Sequence, residues 1–278
     1  MTDPLTHPAP LAPLGIIAGN GTYPFALVKS ARAAGVAHIV AAAFENETDP
    51  ALTSQVDEIE WMRVGQLGRM IKTFSSRKVG RVIMAGQIAP GNLFDLRPDL
   101  KAFLVLAKLK ERNAESIFGA IGDELAKVGV ELLPATTYME DHLAGAGVFA
   151  GPRLSRREES DVRYGLNIAK EVSRLDIGQT VVVKGGTVLA VEGFDGTNAT
   201  IRRGGALGKG EAVVVKVSKP NQDFRFDVPV IGPATLEAAA EAQIRVIAVE
   251  SGRTLVMERE QLAETAARLK ISLSGIEL

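Results

Sequence analysis

Leu14-Gly-Ile-Ile-Ala-Gly-Asn-Gly-Thr-Tyr-Pro24 is the stretch whose reading decides the fold. An apolar run opens into a glycine loop, and Pro24 suits the first turn of a helix, where a missing amide proton costs nothing. The pattern predicts strand, loop and helix in succession, the helix running to about Ala34. His38-Ile-Val-Ala-Ala-Ala-Phe44 reads as a second strand and Arg81-Val-Ile-Met-Ala85 as a third, with an amphipathic helix from Val64 to Phe74 between them. Strands alternating with helices imply a mostly parallel sheet. Leu100 to Lys110 and Ser116 to Lys127 read as further helices before the strand-like Val130-Glu-Leu-Leu133. A Rossmann-like α/β domain is therefore expected over residues 14–134, after a proline-rich disordered tail over residues 1–13.

Residues 135–157, with Gly145, Gly147, Gly151 and Pro152, read as a linker. Beyond it, a helix is expected from Glu158 to Leu175, with Gly178 close to its end. Thr180-Val-Val-Val183 and Thr187-Val-Leu-Ala-Val191 around Gly185-Gly186 form a hairpin pattern. Ala212 to Val217 and Arg245 to Val249 read as strands, and Ala234 to Ala242 and Glu258 to Lys270 as helices. The second domain, residues 158–278, is thus expected to be α/β with a mixed sheet.

Composition narrows the function. At 278 residues the chain is long for one core and comfortable for two. Hydrophobic content of 46% with 23% charged residues fits an ordinary soluble protein. No apolar run approaches the roughly 20 residues that span a bilayer, and the N-terminus lacks the basic and apolar regions of a secretory signal. A cytoplasmic location is the expectation. The net charge of -1 gives no electrostatic case for nucleic acid. The absence of cysteine excludes disulfides, thiolate zinc sites and cysteine nucleophiles. The histidines, His7, His38 and His142, are scattered, so carboxylates would have to hold any metal, which favours magnesium or manganese over zinc.

Lys219-Pro-Asn-Gln-Asp-Phe-Arg-Phe-Asp-Val-Pro229 carries the densest chemistry. Two prolines nine positions apart, Pro220 and Pro229, disfavour a helix. An extended reading puts Asn221, Asp223, Arg225 and Asp227 on one face and Gln222, Phe224, Phe226 and Val228 on the other. Two carboxylates around a guanidinium, with Lys216 and Lys219 upstream, suit a phosphate substrate held with a divalent cation. A half-buried strand laced by weak surface ion pairs is the alternative on alternation alone. Gly19-Asn20-Gly21 lies where a strand meets a helix, and there glycines and free helix amides admit a phosphate. Gly204-Gly-Ala-Leu-Gly-Lys209 is one residue short of a P-loop and follows no clear strand, which excludes an NTPase reading.

The run from Lys219 to Thr235 resembles the signature Lys-Pro-x-Gln-Asp-x-Arg-Phe-Asp-x-Pro-x-x-Gly-Pro-x-Thr of a bacterial family. Its members are the UDP-2,3-diacylglucosamine pyrophosphatases of lipid A synthesis, the type unrelated to calcineurin-like phosphoesterases. Gly15 to Pro24, Asp176 to Val183 and Ala190 to Arg203 resemble the same family in the same order. One departure stands out. Gly196-Thr197-Asn198-Ala199-Thr200 replaces the usual Gly-Thr-Asp-Ala-Met, and Asn198 cannot carry the charge of that Asp.

The resemblance implies hydrolysis of UDP-2,3-diacylglucosamine to UMP and 2,3-diacylglucosamine 1-phosphate. It implies Asp223, Asp227 and Arg225 as catalytic residues, with Mg2+ or Mn2+ held by Asp223 together with Asp227 or Glu192. The first domain would take the uridine nucleotide through Gly19, Asn20, Gly21, Gly86 and Gln87, whose amide suits a uracil edge, with Asp123 nearby. The second would take the acylated sugar phosphate through Gln179, Thr197, Arg202, Lys216 and Lys219. A lipid-linked UDP-sugar implies transient contact with the inner membrane, and a homodimer is compatible. Two other readings stand beside this one. Gly19-Asn-Gly21 and Glu45 suggest an NAD(P)-dependent oxidoreductase, against which Pro24 occupies the place of a third glycine. A non-catalytic nucleotide-sugar-binding protein is the other, to which Asn198 lends weight.

Overall fold

The computed structural model describes residues 12–88, 98–110 and 114–278, so the expected tail lies almost entirely outside the described residues. The chain divides into two compact units. The first runs to Met139 and also takes in Asp223–Asp227; the second comprises Glu140–Gln222 and Val228–Leu278. The five residues holding the densest chemistry therefore belong to the first unit, although the sequence reading sets them in the second domain.

The first unit is built on β1 (Leu14–Ala18), β2 (Ile39–Phe44), β3 (Glu58–Met62), β4 (Arg81–Ala85) and β5 (Glu131–Leu132). They form one parallel sheet in the order β3-β2-β1-β4-β5. Its helices are α1 (Tyr23–Ala33), α2 (Leu67–Ser76), α3 (Leu100–Lys108) and α4 (Ala114–Ala126). β1 and β2 are buried along their whole length, as expected of strands covered on both faces. Gly15 has a packing reason: a Cβ there would lie 2.4 Å from Val82 and 2.8 Å from the Phe74 ring, which α2 presses onto the sheet. β3 escapes the sequence reading because Glu58 and Glu60 interrupt its apolar pattern. It is an edge strand whose carboxylates pair with Arg77 and Arg69.

The second unit carries a six-stranded mixed sheet. Its strands are β6 (Gly147–Ala150), β7 (Thr180–Lys184), β8 (Thr187–Val191), β9 (Val213–Lys216), β11 (Val246–Glu250) and β13 (Ser272–Ile276), in the order β6-β13-β11-β9-β7-β8. β10 (Val230–Ile231) and β12 (Leu255–Val256) make a separate parallel pair. Strands β9, β11 and β13 are parallel, β6 and β7 run against them, and the edge strand β8, antiparallel to β7, runs with them. The expected linker over 135–157 thus contributes an edge strand, which begins at Gly147. Helix α5 (Arg156–Arg174) begins at a capping box in which Ser155 and Glu158 satisfy each other's backbone amides. Val181, Val183, Val213 and Val215 pack on the α5 face. Val182 and Val214 face the other way, among residues of α6 (Thr197–Gly208), α7 (Pro233–Glu241) and α8 (Arg259–Leu269).

The extended reading of residues 219–229 is corrected by the structure. The Asp223 carbonyl accepts from the amides of Phe226 (3.2 Å) and Asp227 (3.0 Å), which closes a tight turn over Phe224–Phe226. Pro220 and Pro229 cannot donate to a ladder, and pairing resumes only at β10. Asp223 and Asp227 are therefore four residues apart around one turn, not alternate residues on a flat face.

Candidate active site

In the first unit the chain turns from β1 to β2 and β3 on one side, then returns to β4 and β5 on the other. The carboxyl ends of β1 and β4 thus flank the topological switch point, where α/β sheets open a crevice. Gly19, Asn20 and Gly21 follow β1, and Gly86 and Gln87 follow β4. The two loops are joined: Gly19 N donates to Ala85 O (2.7 Å), Asn20 N to Gln87 O (2.8 Å) and Gln87 N to Asn20 O (3.2 Å). A Cβ on Gly19 would stand 2.5 Å from the Gln87 carbonyl oxygen, and one on Gly86 2.6 Å from that of Asn20. These glycines serve the approach of the two loops to each other. Gly21 differs: its φ is +92°, nothing lies within 4 Å of a Cβ there, and it is exposed beside the start of α1. Asn20 and Gln87 are exposed at the same edge, as is Glu45 after β2.

The turn at Asp223–Asp227 is fastened inside this unit at three points. Ala135 N donates to Phe224 O (2.7 Å), and the Phe226 ring packs against Phe118 with centroids 5.6 Å apart. At the third point Arg225 lies against Gly122 of α4, where an added Cβ would come 3.5 Å from the guanidinium. The tighter neighbour of such a Cβ is Leu132 Cδ2 of β5 at 3.2 Å, a packing reason for a glycine within the helix. Asp123 acts electrostatically on the same guanidinium. Arg225 grips Asp223 from two sides, Nε at 3.0 and 3.1 Å from the carboxylate oxygens and Nη2 at 2.6 Å, and its own amide donates to Asp223 Oδ1 at 3.1 Å. The guanidinium holds the Asp223 carboxyl below the ordinary aspartate range, so it is ionised at neutral pH. Tyr23, whose role sequence reasoning does not assign, joins this arrangement. Its buried hydroxyl donates to Ala135 O, so one residue connects the first turn of α1 to the Asp223 turn.

In the second unit Glu192, Thr197, Lys216 and Gln179 come together. Lys216 Nζ donates to Thr197 Oγ1 (2.7 Å), whose hydroxyl donates to Glu192 Oε1 (2.7 Å), and Gln179 N donates to Glu192 Oε2 (3.3 Å). Glu192 and Lys216 are both buried, at 8% and 5% exposure. Burial works against ionisation of Glu192. The Lys216 ammonium and hydrogen bonds from Thr180, Thr197 and the Gln179 amide overcome it and hold the pKa below the ordinary glutamate value. Gln179 Oε1 is buried without a hydrogen-bond partner. Thr197 opens α6, and its N-cap, Gly196, offers no capping side chain, so the first helical amides have no side-chain acceptor there.

Two residues are placed elsewhere. Arg202 turns to Glu241 of α7 (Nε–Oε2 2.6 Å), and Lys219 pairs with Asp176. Arg203 holds Asp195 (3.0 Å) and the Val191 carbonyl (3.0 Å). Sequence reasoning also passes over a buried node at the ends of β9 and β11. Glu250, only 2% exposed, accepts from Lys170 Nζ (2.7 Å), Ser218 N (2.8 Å) and Ser218 Oγ (2.8 Å) through one carboxylate oxygen. Glu250 sits inside an apolar strand run, so only the buried end of that run could have signalled it.

Among the described residues no three of His, Cys, Asp and Glu gather as a ready metal cage. Glu192, offered to a metal by the sequence reading, is committed to Thr197 and the Gln179 amide beside Lys216. Asp223 and Asp227 share one turn, with Asp223 held by Arg225; two carboxylates are the donor type that suits Mg2+ shared with substrate phosphates rather than an all-protein cage.

A parallel sheet with paired glycine loops at its switch point, joined to a mixed-sheet unit with a buried Lys-Thr-Glu relay, defines a two-unit α/β protein suited to phosphate-bearing ligands. Comparison with known proteins identifies the family. The model of the LpxI N-terminal domain matches residues 13–142, and that of the LpxI C-terminal domain matches residues 145–274. The chain belongs to the LpxI family. It is 32% identical over 275 residues to the UDP-2,3-diacylglucosamine pyrophosphatase LpxI of Caulobacter vibrioides, covering 95% of this chain and 97% of that one. Among solved structures it is similar to the biotin carboxylase domain of a thermophilic 2-oxoglutarate carboxylase bound to ADP. There the TM-score is 0.28 at 9% identity, over 61% of this chain and 34% of the other. The same domain from Hydrogenobacter thermophilus gives a TM-score of 0.28 at 12% identity, over 70% and 41%.

Proposed function

We propose that the protein hydrolyses the pyrophosphate bond of UDP-2,3-diacylglucosamine, releasing UMP and 2,3-diacylglucosamine 1-phosphate in lipid A synthesis. The observation that carries this reading is the match of both units, in order and nearly end to end, to the family of the Caulobacter enzyme. The geometry supports it. In the first unit, the open edge at Asn20, Gly21 and Gln87 takes the uridine nucleotide, with the α1 amides available to a phosphate. Asp223 and Asp227 hold Mg2+ or Mn2+, which when bound offsets charge on the pyrophosphate and lowers the pKa of a water. Arg225, already charged and aimed by Asp223, exchanges its carboxylate partner for a phosphoryl oxygen and favours the charge developing there.

In the second unit, Lys216, Thr197 and the first amides of α6 bind the sugar phosphate. Glu192 faces Lys216 through the Thr197 hydroxyl, and the unsatisfied Gln179 carbonyl oxygen accepts from a sugar hydroxyl or amide. Arg202 and Lys219, paired with Glu241 and Asp176, serve at most after those pairs open. None of the helices in the described residues is long and apolar enough to cross a membrane, and we assign the protein to the cytoplasm with transient contact at the inner membrane surface.

The test is to incubate the purified protein with UDP-2,3-diacylglucosamine and magnesium and measure UMP. Release of UMP and the acylated sugar 1-phosphate is the expected result. Tight binding without turnover would overturn it in favour of a nucleotide-sugar-binding protein.

A further inference from the structure

Helix α3 has two apolar faces where its packing needs one. On the inner face Ala102 is buried, and the half-buried Val105 packs against the core of the first unit. A helical wheel places Leu100, Phe103, Leu104 and Ala107 together on the opposite side. There Leu100 is 75% exposed, Phe103 59% and Leu104 49%. A helix apolar nearly all round is ordinarily covered on both sides. The polar residues of this helix, Lys101 and Lys108, stand one above the other along one flank, and the exposed Lys110 follows. Lys101 shares Glu124 with Lys127, so two ammonium groups meet one carboxylate there. The nearby Asp99 is spent on the helix cap and on the Gly68 amide. The exposed apolar face is thus bordered by a surplus of positive charge.

We propose that this face of α3 docks the protein on an anionic bilayer surface, Leu100, Phe103 and Leu104 entering the acyl boundary and the lysines meeting lipid phosphates. The combination of aromatic and leucine residues with a lysine flank is that of a helix lying in the membrane interface. A second copy of the chain is a poorer occupant. An isologous contact with the two helices antiparallel would bring the lysine border up against its own symmetry mate. The choice of a lipid surface rests on the function proposed above, because a diacylated substrate resides in a membrane. The surface itself is read from the exposure and charge of α3.

The experiment uses the full-length protein and sedimentation with large vesicles of phosphatidylglycerol and phosphatidylethanolamine, with phosphatidylcholine vesicles as the neutral control. The wild type should partition onto the anionic vesicles, and added salt should weaken it. The triple variant Leu100→Gln, Phe103→Gln, Leu104→Gln should lose about tenfold or more of that partition while melting at the wild-type temperature, since these side chains point away from the core. Lys108→Glu with Lys110→Glu should weaken binding to anionic vesicles and leave the neutral control unchanged. The proposal falls if wild type fails to sediment with anionic vesicles, or if the triple variant sediments equally well. It falls also if the triple substitution converts a dimer to a monomer without changing partition. UMP release from a short-chain substrate tests the proposed function separately: its absence in wild type, with vesicle binding intact, would remove that function and leave the docking surface standing.

Discussion

Replacing Tyr23 by Phe removes a single hydroxyl and keeps the ring. That hydroxyl is buried and donates to the carbonyl of Ala135, whose amide in turn donates to Phe224 O. The substitution leaves a buried carbonyl without this donor, which costs about 1–3 kcal/mol. At about 2–4 °C per kcal/mol, the melting temperature should fall by roughly 2–12 °C. The pH dependence gives a second signature. Burial raises the Tyr23 pKa above the usual tyrosine value. Above pH about 10 the unfolded chain therefore releases this proton while the native one keeps it, and wild-type stability declines as pH rises. The Phe variant lacks that decline, so the gap between the two proteins should narrow in the alkaline range. Melting curves at neutral pH and above pH about 10 read both effects. Equal melting temperatures at neutral pH, with parallel alkaline limbs, would refute the placement of this hydrogen bond.

Asp223→Ala should fold and lose UMP release by at least about a hundredfold, because it removes both the proposed metal ligand and the carboxylate that aims Arg225; near-wild-type turnover would remove Asp223 from the mechanism. Chelation with EDTA should abolish hydrolysis and magnesium or manganese restore it, whereas undiminished rates after dialysis would move the chemistry to Arg225 and Lys216. Glu250→Gln should destabilise by about 2–4 kcal/mol in urea titrations, as it strips a buried carboxylate from Lys170 and Ser218. The Glu250 pKa is lowered: burial opposes ionisation, but the hydrogen bonds from Lys170 and Ser218 prevail. Its contribution is therefore present above the ordinary glutamate pKa and lost as pH falls through the lower native value, so the wild type should lose more stability on acidification than the variant. A fragment of residues 158–278 should release no UMP, because Asp223–Asp227 is fastened to residues it lacks; turnover comparable to the full chain would show that Phe118, Gly122 and Ala135 are dispensable.

Much of the fold was legible because most of its strands are buried. β1, β2, β4, β9 and β11 read as short apolar runs, and Pro24 and Pro233 mark helix starts. What escaped lies at edges or in glycine. Glu58 and Glu60 disguise β3 as a polar stretch, and the edge strand β6 is four residues long, begins at Gly147 and is followed by Gly151. Helix α6 has no helical reading in the sequence, where its last turns look like a near P-loop, since Gly204, Gly205 and Gly208 argue locally against a helix. Packing answers that: a Cβ on Gly204 would lie 2.5 Å from Val182, and one on Gly205 2.4 Å from the Ala242 carbonyl, so the helix needs those glycines to come close.

The site was legible as a set of residues but not as a geometry. Alternation places Asp223, Arg225 and Asp227 on one face of a strand, and two prolines argue for extension. Proline forbids a helix interior, but it does not forbid a single turn between two prolines. The Asp223 carbonyl supplies the acceptor for that turn, and its side chain supplies the acceptor for the Arg225 amide. The sequence also cannot say that five residues of one domain pack in another, because nothing local distinguishes a loop that returns to its own core from one that does not. Phe226 is the residue that decides it. Its ring packs against Phe118, and beside it the guanidinium lies in contact with Gly122. The turn thereby gains an apolar anchor and a place for its charge in the same unit as the glycine loops. That is why Tyr23, Asp123 and Asp223, distant in sequence, belong to one arrangement.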